Sequence, residues 1–88
     1  MNKEELYKEL LCKYGDKQVF VAIEELSELQ KELCKYLRDK GDIGNMVEEI
    51  ADVSIMVEQM MVYFGIEPSK VEFVMTKKLE RTKERLLK

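Results

Sequence analysis

The sequence predicts an all-α fold, a small bundle of about four helices that a second copy of the chain completes. Apolar residues recur at spacings of three and four over long stretches, which is the period of an amphipathic helix. The composition, with 45% hydrophobic residues, 38% charged residues, one proline and four glycines, is typical of helices rather than of short strands. A chain of 88 residues is expected to form a single domain, residues 1–88.

The first two predicted helices are separated by a glycine. Asn2 is a capping residue and Gly15 favours the positive φ that ends many helices, so residues 1–15 are expected to form an N-terminal helix or arm. Asp16 can cap the second helix, which covers residues 16–39. The apolar residues that define one stripe of this amphipathic helix are Val19, Ile23, Leu26, Leu33 and Leu37.

The second half of the chain predicts two more helices. Asn45 is a predicted cap for a third helix over residues 45–64, and Pro68 is predicted to open a basic fourth helix over residues 68–88. The third helix is apolar on nearly all sides, and three other short helices cannot enclose it. We therefore expect a homodimer that covers the remaining apolar surface.

Two acidic pairs interrupt the apolar pattern. Glu25 and Glu28 lie three residues apart on the second helix, and Glu49 and Asp52 lie three residues apart on the third, so each pair shares one helix face. The second pair is bracketed by apolar residues. Because an unpaired buried carboxylate is costly or becomes protonated, a bound cation is the simplest compensation. Acidic pairs are also common on solvated faces, and Glu32 is interpreted as such a surface residue.

The numbering of the four acids predicts how they meet. Opposed residues of an antiparallel hairpin share a constant sum of residue numbers, and Glu25 with Asp52 has the same sum as Glu28 with Glu49. A tight turn after Leu37 would set a register that differs by roughly 9 Å. Either the second helix overshoots or the turn is longer, and the sequence leaves both alternatives open.

The residue types at this constellation point to a hard cation. Carboxylate oxygens favour Mg²⁺ first and Mn²⁺ second over zinc or copper. The chain contains no histidine, which removes the commonest general base and the usual Glu-x-x-His pattern of di-iron bundles. Proton transfer would have to use a carboxylate of raised pKa or an activated water.

Charge and cysteine usage indicate the setting of the protein. Cys12 and Cys34 lack metal-binding spacing and are interpreted as small hydrophobic residues in a reducing compartment. The N-terminus lacks an apolar signal core and no run is long enough for a membrane span, so a cytoplasmic location is expected. Residues 77–88 carry a net charge of +4 and the remainder −7, giving the chain its total of −3.

At the acidic pairs the sequence resembles the MazG-like family of all-α nucleoside triphosphate pyrophosphohydrolases, including its compact, phage-type members. The family signature is Glu-x-x-Glu, a spacer, then Glu-x-x-Asp. Here it reads Glu25-Leu26-Ser27-Glu28 and Glu49-Ile50-Ala51-Asp52, with twenty residues between the halves.

The resemblance implies a function and roles for particular residues. Glu25, Glu28, Glu49 and Asp52 would bind Mg²⁺, and a nucleoside triphosphate would be hydrolysed to the monophosphate and pyrophosphate by dimers or pairs of dimers. Glu24, beside the first motif, is a candidate general base. On the fourth helix, Lys78 and Arg81 form a basic ridge that could meet phosphate oxygens, although a solvated face paired with neighbouring acids would have the same pattern.

Two other classes of function are open. One is a non-catalytic, dimeric helical interaction module whose acidic site binds a cation only for stability. The other, nucleic-acid binding through the basic tail, is disfavoured because the body is acidic and aromatic residues make up only 8% of the chain.

Overall fold

The chain folds into four helices joined by short turns. The computed structural model describes all 88 residues and contains no strand. In chain order the helices are α1 (Lys3–Tyr14), α2 (Lys17–Leu37), α3 (Ile43–Tyr63) and α4 (Pro68–Leu86). The predicted all-α class with four helices is therefore confirmed. None of these helices combines the length and apolarity needed to cross a membrane.

The ends of α1 follow the sequence signals. The Asn2 side chain accepts a hydrogen bond from the backbone N–H of Glu5 at 2.8 Å, which satisfies one of the free N–H groups of the first turn. Gly15 has a φ of 52°, and its N–H donates to the carbonyl of Leu11. Asp16, however, makes no capping bond to α2. Its carboxylate instead accepts a hydrogen bond from the hydroxyl of Tyr63, which ties the start of α2 to the end of α3.

α2 and α3 form an antiparallel hairpin, and their contact face is called the seam below. The amide of Gln18 near the start of α2 donates to the amide oxygen of Gln59 near the end of α3 at 2.8 Å, and both side chains are buried. The covered residues of α2 recur at intervals of four and three: Gln18, Ala22, Glu25, Leu29 and Glu32. Those of α3 include Met46, Glu49, Val53, Met56 and Gln59.

The apolar stripe of α2 is mostly exposed in the single chain. Of its five residues only Val19 is half-buried, and the rest are exposed, with Leu37 80% exposed. The sequence contains two helical faces, an apolar one and a mixed one, and α2 places the mixed one, with the buried amide of Gln18, against α3. The apolar face is about half exposed, although Leu26 still lines a small apolar pocket with residues of α3.

α3 begins earlier than predicted. Asp42, rather than Asn45, occupies the cap position, and its side chain accepts from the backbone N–H of Asn45 at 3.3 Å. The helix therefore starts at Ile43, about one turn before Met46, and this adds about 4.5 Å of helix before Glu49. This earlier start removes about half of the roughly 9 Å register mismatch expected for a tight turn. α2 ends at Leu37, so the second helix does not overshoot.

A compact turn over residues 38–42 joins the two seam helices. Asp39 has a φ of 60°, and the N–H of Lys40 returns to the carbonyl of Lys35 at 2.9 Å. Gly41 lies against Tyr36, so closely that an added Cβ would sit 2.9 Å from the Tyr36 Cα. A side chain at this position would force the turn open.

α1 is docked on the hairpin, whereas α4 extends from it. Tyr7 and Leu11 are buried, and the Tyr7 hydroxyl donates to the Glu58 carboxylate at 2.7 Å. Burial, and then this bond to Glu58, raise the pKa of Tyr7 to about 12. α4 starts at Pro68 as predicted but contains no buried residue. Its large apolar side chains, among them Phe73 and Leu79, are exposed.

Candidate metal centre

Three of the four predicted ligands converge at the seam. Glu25 from α2 and Glu49 and Asp52 from α3 each offer a carboxylate oxygen, and these oxygens lie within 4.8 Å of one another. Glu25 and Glu49 are half-buried, and Asp52 is exposed at the edge. These three residues, called the carboxylate trio below, form an acidic site that is open to solvent on one side.

The predicted register explains why the trio forms. The buried hydrogen bond between Gln18 and Gln59 joins two residues with the same number sum as Glu25 with Asp52. The amide pair and the acidic pair therefore belong to one helical alignment, separated along α2 by seven residues, or about 10 Å. This observed contact confirms the register that the acidic pairs predict.

Repulsion within the trio changes its protonation. Burial is the largest cause of a raised pKa at Glu25, followed by the charges of Asp52 and Glu49 and a hydrogen bond with Asp52. Burial, and then the charge of Asp52, likewise raise the pKa of Glu49, with further contributions from Glu28 and Glu32. Both shifts favour the neutral acid in the absence of a counter-charge.

One oxygen of the trio lacks any partner. Glu49 Oε2 is buried and accepts no hydrogen bond, although a buried polar oxygen is normally satisfied. An oxygen of this kind needs a proton, a water or a cation.

Glu28, the fourth predicted ligand, does not join the trio. It is exposed, although its charge contributes to the raised pKa of both Glu25 and Glu49, which places it beside the site. Residues three apart on a helix differ by about 60° in direction, and Glu25 is the member of its pair that turns into the seam while Glu28 stays exposed.

Glu32 is not the surface residue that the sequence suggested. It is only 7% exposed, and its Oε1 accepts from the Lys35 amine at 3.3 Å while Oε2 is buried without a partner. The signal that could have revealed it is the interval of four and three that links Gln18, Ala22, Glu25, Leu29 and Glu32 on one face.

The remaining predicted site residues lie outside the trio. Glu24 is exposed on α2 and is not among the converging acids. Lys78 and Arg81 are exposed on α4. Lys78 lines an open groove of about 790 Å³ between the end of α3 and α4, and no residue of the trio lines this groove. Within one chain the basic ridge and the acidic site are therefore separate surfaces.

Comparisons of the chain with models of protein families, with curated proteins and with solved structures give no match. The resemblance to the MazG-like family therefore stays a prediction from the two acidic motifs of the sequence.

Proposed function

We propose that this protein is a magnesium-dependent nucleoside triphosphate pyrophosphohydrolase of the MazG-like kind. The observation that carries the proposal is the carboxylate trio, in which three acids from two helices converge within 4.8 Å and one buried oxygen has no partner. A surface cluster without a ligand would spread its charges into water, whereas Glu25 and Glu49 are drawn into the seam.

The donor set fits magnesium. All three groups are carboxylates, and hard oxygen donors suit Mg²⁺, with Mn²⁺ the closest substitute. Glu25, Glu49 and Asp52 would hold the cation directly, and Glu28, whose charge acts on both Glu25 and Glu49, is the proposed fourth ligand. When bound there, Mg²⁺ would supply the positive charge that offsets a triphosphate and favours attack at the α-phosphorus.

The other proposed roles in the reaction belong to side chains of the protein. The trio fixes the site on two helices whose alignment is set by a buried amide pair, so the acids are positioned before substrate arrives. Glu24, exposed beside the trio residue Glu25, is the proposed acceptor, through a carboxylate oxygen, of the proton that the attacking water loses. Lys78 and Arg81 are proposed to bind phosphate oxygens.

A homodimer is part of the proposal because it could join the separate surfaces. Ile23, Leu26 and Leu33 on α2 are about half exposed, and α4 has no buried side chain. A second copy could cover these surfaces and bring its own α4 toward the trio of the first. Pairs of such dimers are the larger assembly that the resemblance implies. The free cysteines Cys12 and Cys34, both exposed, suit the reducing cytoplasm that we propose as its location.

The decisive experiment measures pyrophosphate release from a panel of nucleoside triphosphates with and without Mg²⁺. We expect magnesium-dependent formation of monophosphate and pyrophosphate by the parent, and loss of activity in Glu49→Gln. Asp39→Asn is a suitable control because Asp39 lies in the turn and Asn tolerates its positive φ. If magnesium raises Tm but no nucleotide is cleaved, the site is a structural cation site in an interaction module and the enzyme proposal fails.

A further inference from the structure

We propose that Glu32 is a further carboxylate of the cation site, placed on the opposite side of Glu49 from Glu25. The inference rests on the proposed function, since it concerns the same cation site. It starts from a side chain that nothing in the carboxylate trio requires: Glu32 is 7% exposed and retains a buried oxygen, Oε2, without a hydrogen-bond donor.

The seam places Glu32 in line with the trio. Glu32 follows Glu25 by seven residues, and seven residues of an α-helix return to within about 20° of the same direction. The two acids therefore share the face of α2 that contacts α3. In the alignment set by Gln18 and Gln59, Glu49 lies opposite Glu28, which is close to midway between Glu25 and Glu32. Glu49 thus has one α2 acid on each side along the seam.

Two unpartnered oxygens occur on these facing helices. Glu49 Oε2 on α3 and Glu32 Oε2 on α2 are the two buried side-chain polar atoms of the chain without a partner. The alignment of the helices places Glu49 between Glu25 and Glu32 along the seam, and the charge of Glu32 is among the causes that raise the pKa of Glu49. A cation between the two unpartnered oxygens would satisfy both, which would offset the cost of burying them.

The ion pair with Lys35 is the competing explanation for Glu32. Lys35 lies three residues later on the same helix, and its amine contacts only Oε1, at 3.3 Å. Its side chain is about one-third exposed, so it can move into solvent when a divalent cation arrives. If Glu32 binds the cation, removal of Lys35 should strengthen cation binding, because a nearby positive charge opposes it. If Lys35 only pairs with Glu32 in the fold, its removal should lower Tm and leave cation binding no stronger.

The test measures cation binding by the full chain without nucleotide, using Mn²⁺ electron paramagnetic resonance and Mg²⁺ calorimetry. We expect Glu32→Gln to weaken binding at least about tenfold, since even the loss of a group that only supports the metal ligands typically costs about 10- to 100-fold in affinity. Glu32→Asp should retain more of the affinity because the charge remains. Lys35→Met keeps the apolar stem without the amine, and its cation affinity should exceed that of the parent.

The outcomes separate this inference from the proposed function. If the parent binds cation, Asp52→Asn binds it more weakly and Glu32→Gln binds it as well as the parent, the role of Glu32 is overturned. The proposed site at the carboxylate trio then stands. A parent that binds neither cation overturns both proposals. If Glu32→Gln fails to fold, Lys35→Met still decides, since unchanged or weakened cation binding in that variant contradicts a cation beside Glu32 and overturns the inference.

Discussion

Asp52→Asn separates the two effects of the carboxylate trio, repulsion without cation and attraction with it. The substitution keeps the shape of the side chain and removes one charge. Because the charge of Asp52 raises the pKa of both Glu25 and Glu49, its removal relieves repulsion in the metal-free fold. We expect the metal-free variant to unfold at the same Tm as the parent or higher.

Magnesium should reverse this ranking. At a concentration 100 times the parent's Kd, binding to the folded state stabilises it by about 2.7 kcal/mol. The oxygens of the trio lie within 4.8 Å, so Asp52 is one of only three converging carboxylates, and its loss is expected to cost about 100-fold in cation affinity, the upper end of what loss of a group that only supports a metal ligand costs. The variant would then gain about 0.4 kcal/mol. The difference of about 2 kcal/mol corresponds to roughly 10 °C in Tm for a domain of this size.

The gain in Tm with Mg²⁺ is measured by thermal melts of three proteins: the parent, Asp52→Asn and the matched control Asp39→Asn. Pyrophosphate release is assayed on the same samples. The control should respond to magnesium as the parent does. An Asp52→Asn protein that remains active and gains as much Tm from magnesium as the parent would refute the site.

Three further predictions follow from the same structure. The pKa values of Glu25 and Glu49 are raised on folding, so these acids contribute stability at low pH that is lost as pH rises through their folded-state pKa values. The metal-free protein should therefore gain Tm when pH falls from 7 toward about 5. An unchanged Tm over this range would contradict the prediction. Light scattering at micromolar concentration should give the mass of a dimer, because α2 and α4 leave apolar faces uncovered; a cooperatively folded monomer would exclude it. Replacing Lys78 and Arg81 together by Gln should lower triphosphate turnover at least about tenfold. The Tm should stay within a few degrees of the parent's, since exposed charges contribute about 0 to 1 kcal/mol to stability. Unchanged turnover would show that these two residues do not bind substrate.

Local signals in the sequence predicted the features that depend on single residues or on their spacing. Asn2, Gly15 and Pro68 mark helix ends by their own chemistry, and each acts where expected. The alignment of α2 with α3 was predictable from the acidic pairs because it follows from the helical repeat and the antiparallel arrangement. Asp42 shows the limit of such signals, since two capping residues close together leave the choice to side-chain geometry.

The sequence could not predict which face of α2 is covered. An apolar stripe normally marks the buried face, but the seam buries Gln18 and Glu32 and leaves Ile23 and Leu26 about half exposed. That choice depends on pairing between helices, which a single-helix projection does not contain. The position of Glu28 outside the trio depends on the same rotation of α2, which covers Glu25 and leaves Glu28 exposed.

The amide pair of Gln18 and Gln59 also affects how the chain reaches its fold. Two leucines at these positions would let α2 slide along α3 by a turn at little cost, because apolar side chains accept many neighbours. A buried amide does not, since a shift of one turn leaves both groups without a hydrogen-bond partner. The same shift would part Glu25 from Asp52. A hairpin with α2 shifted along α3 is therefore less stable than the aligned one. The alignment that pairs Gln18 with Gln59 also brings Glu25 and Asp52 together.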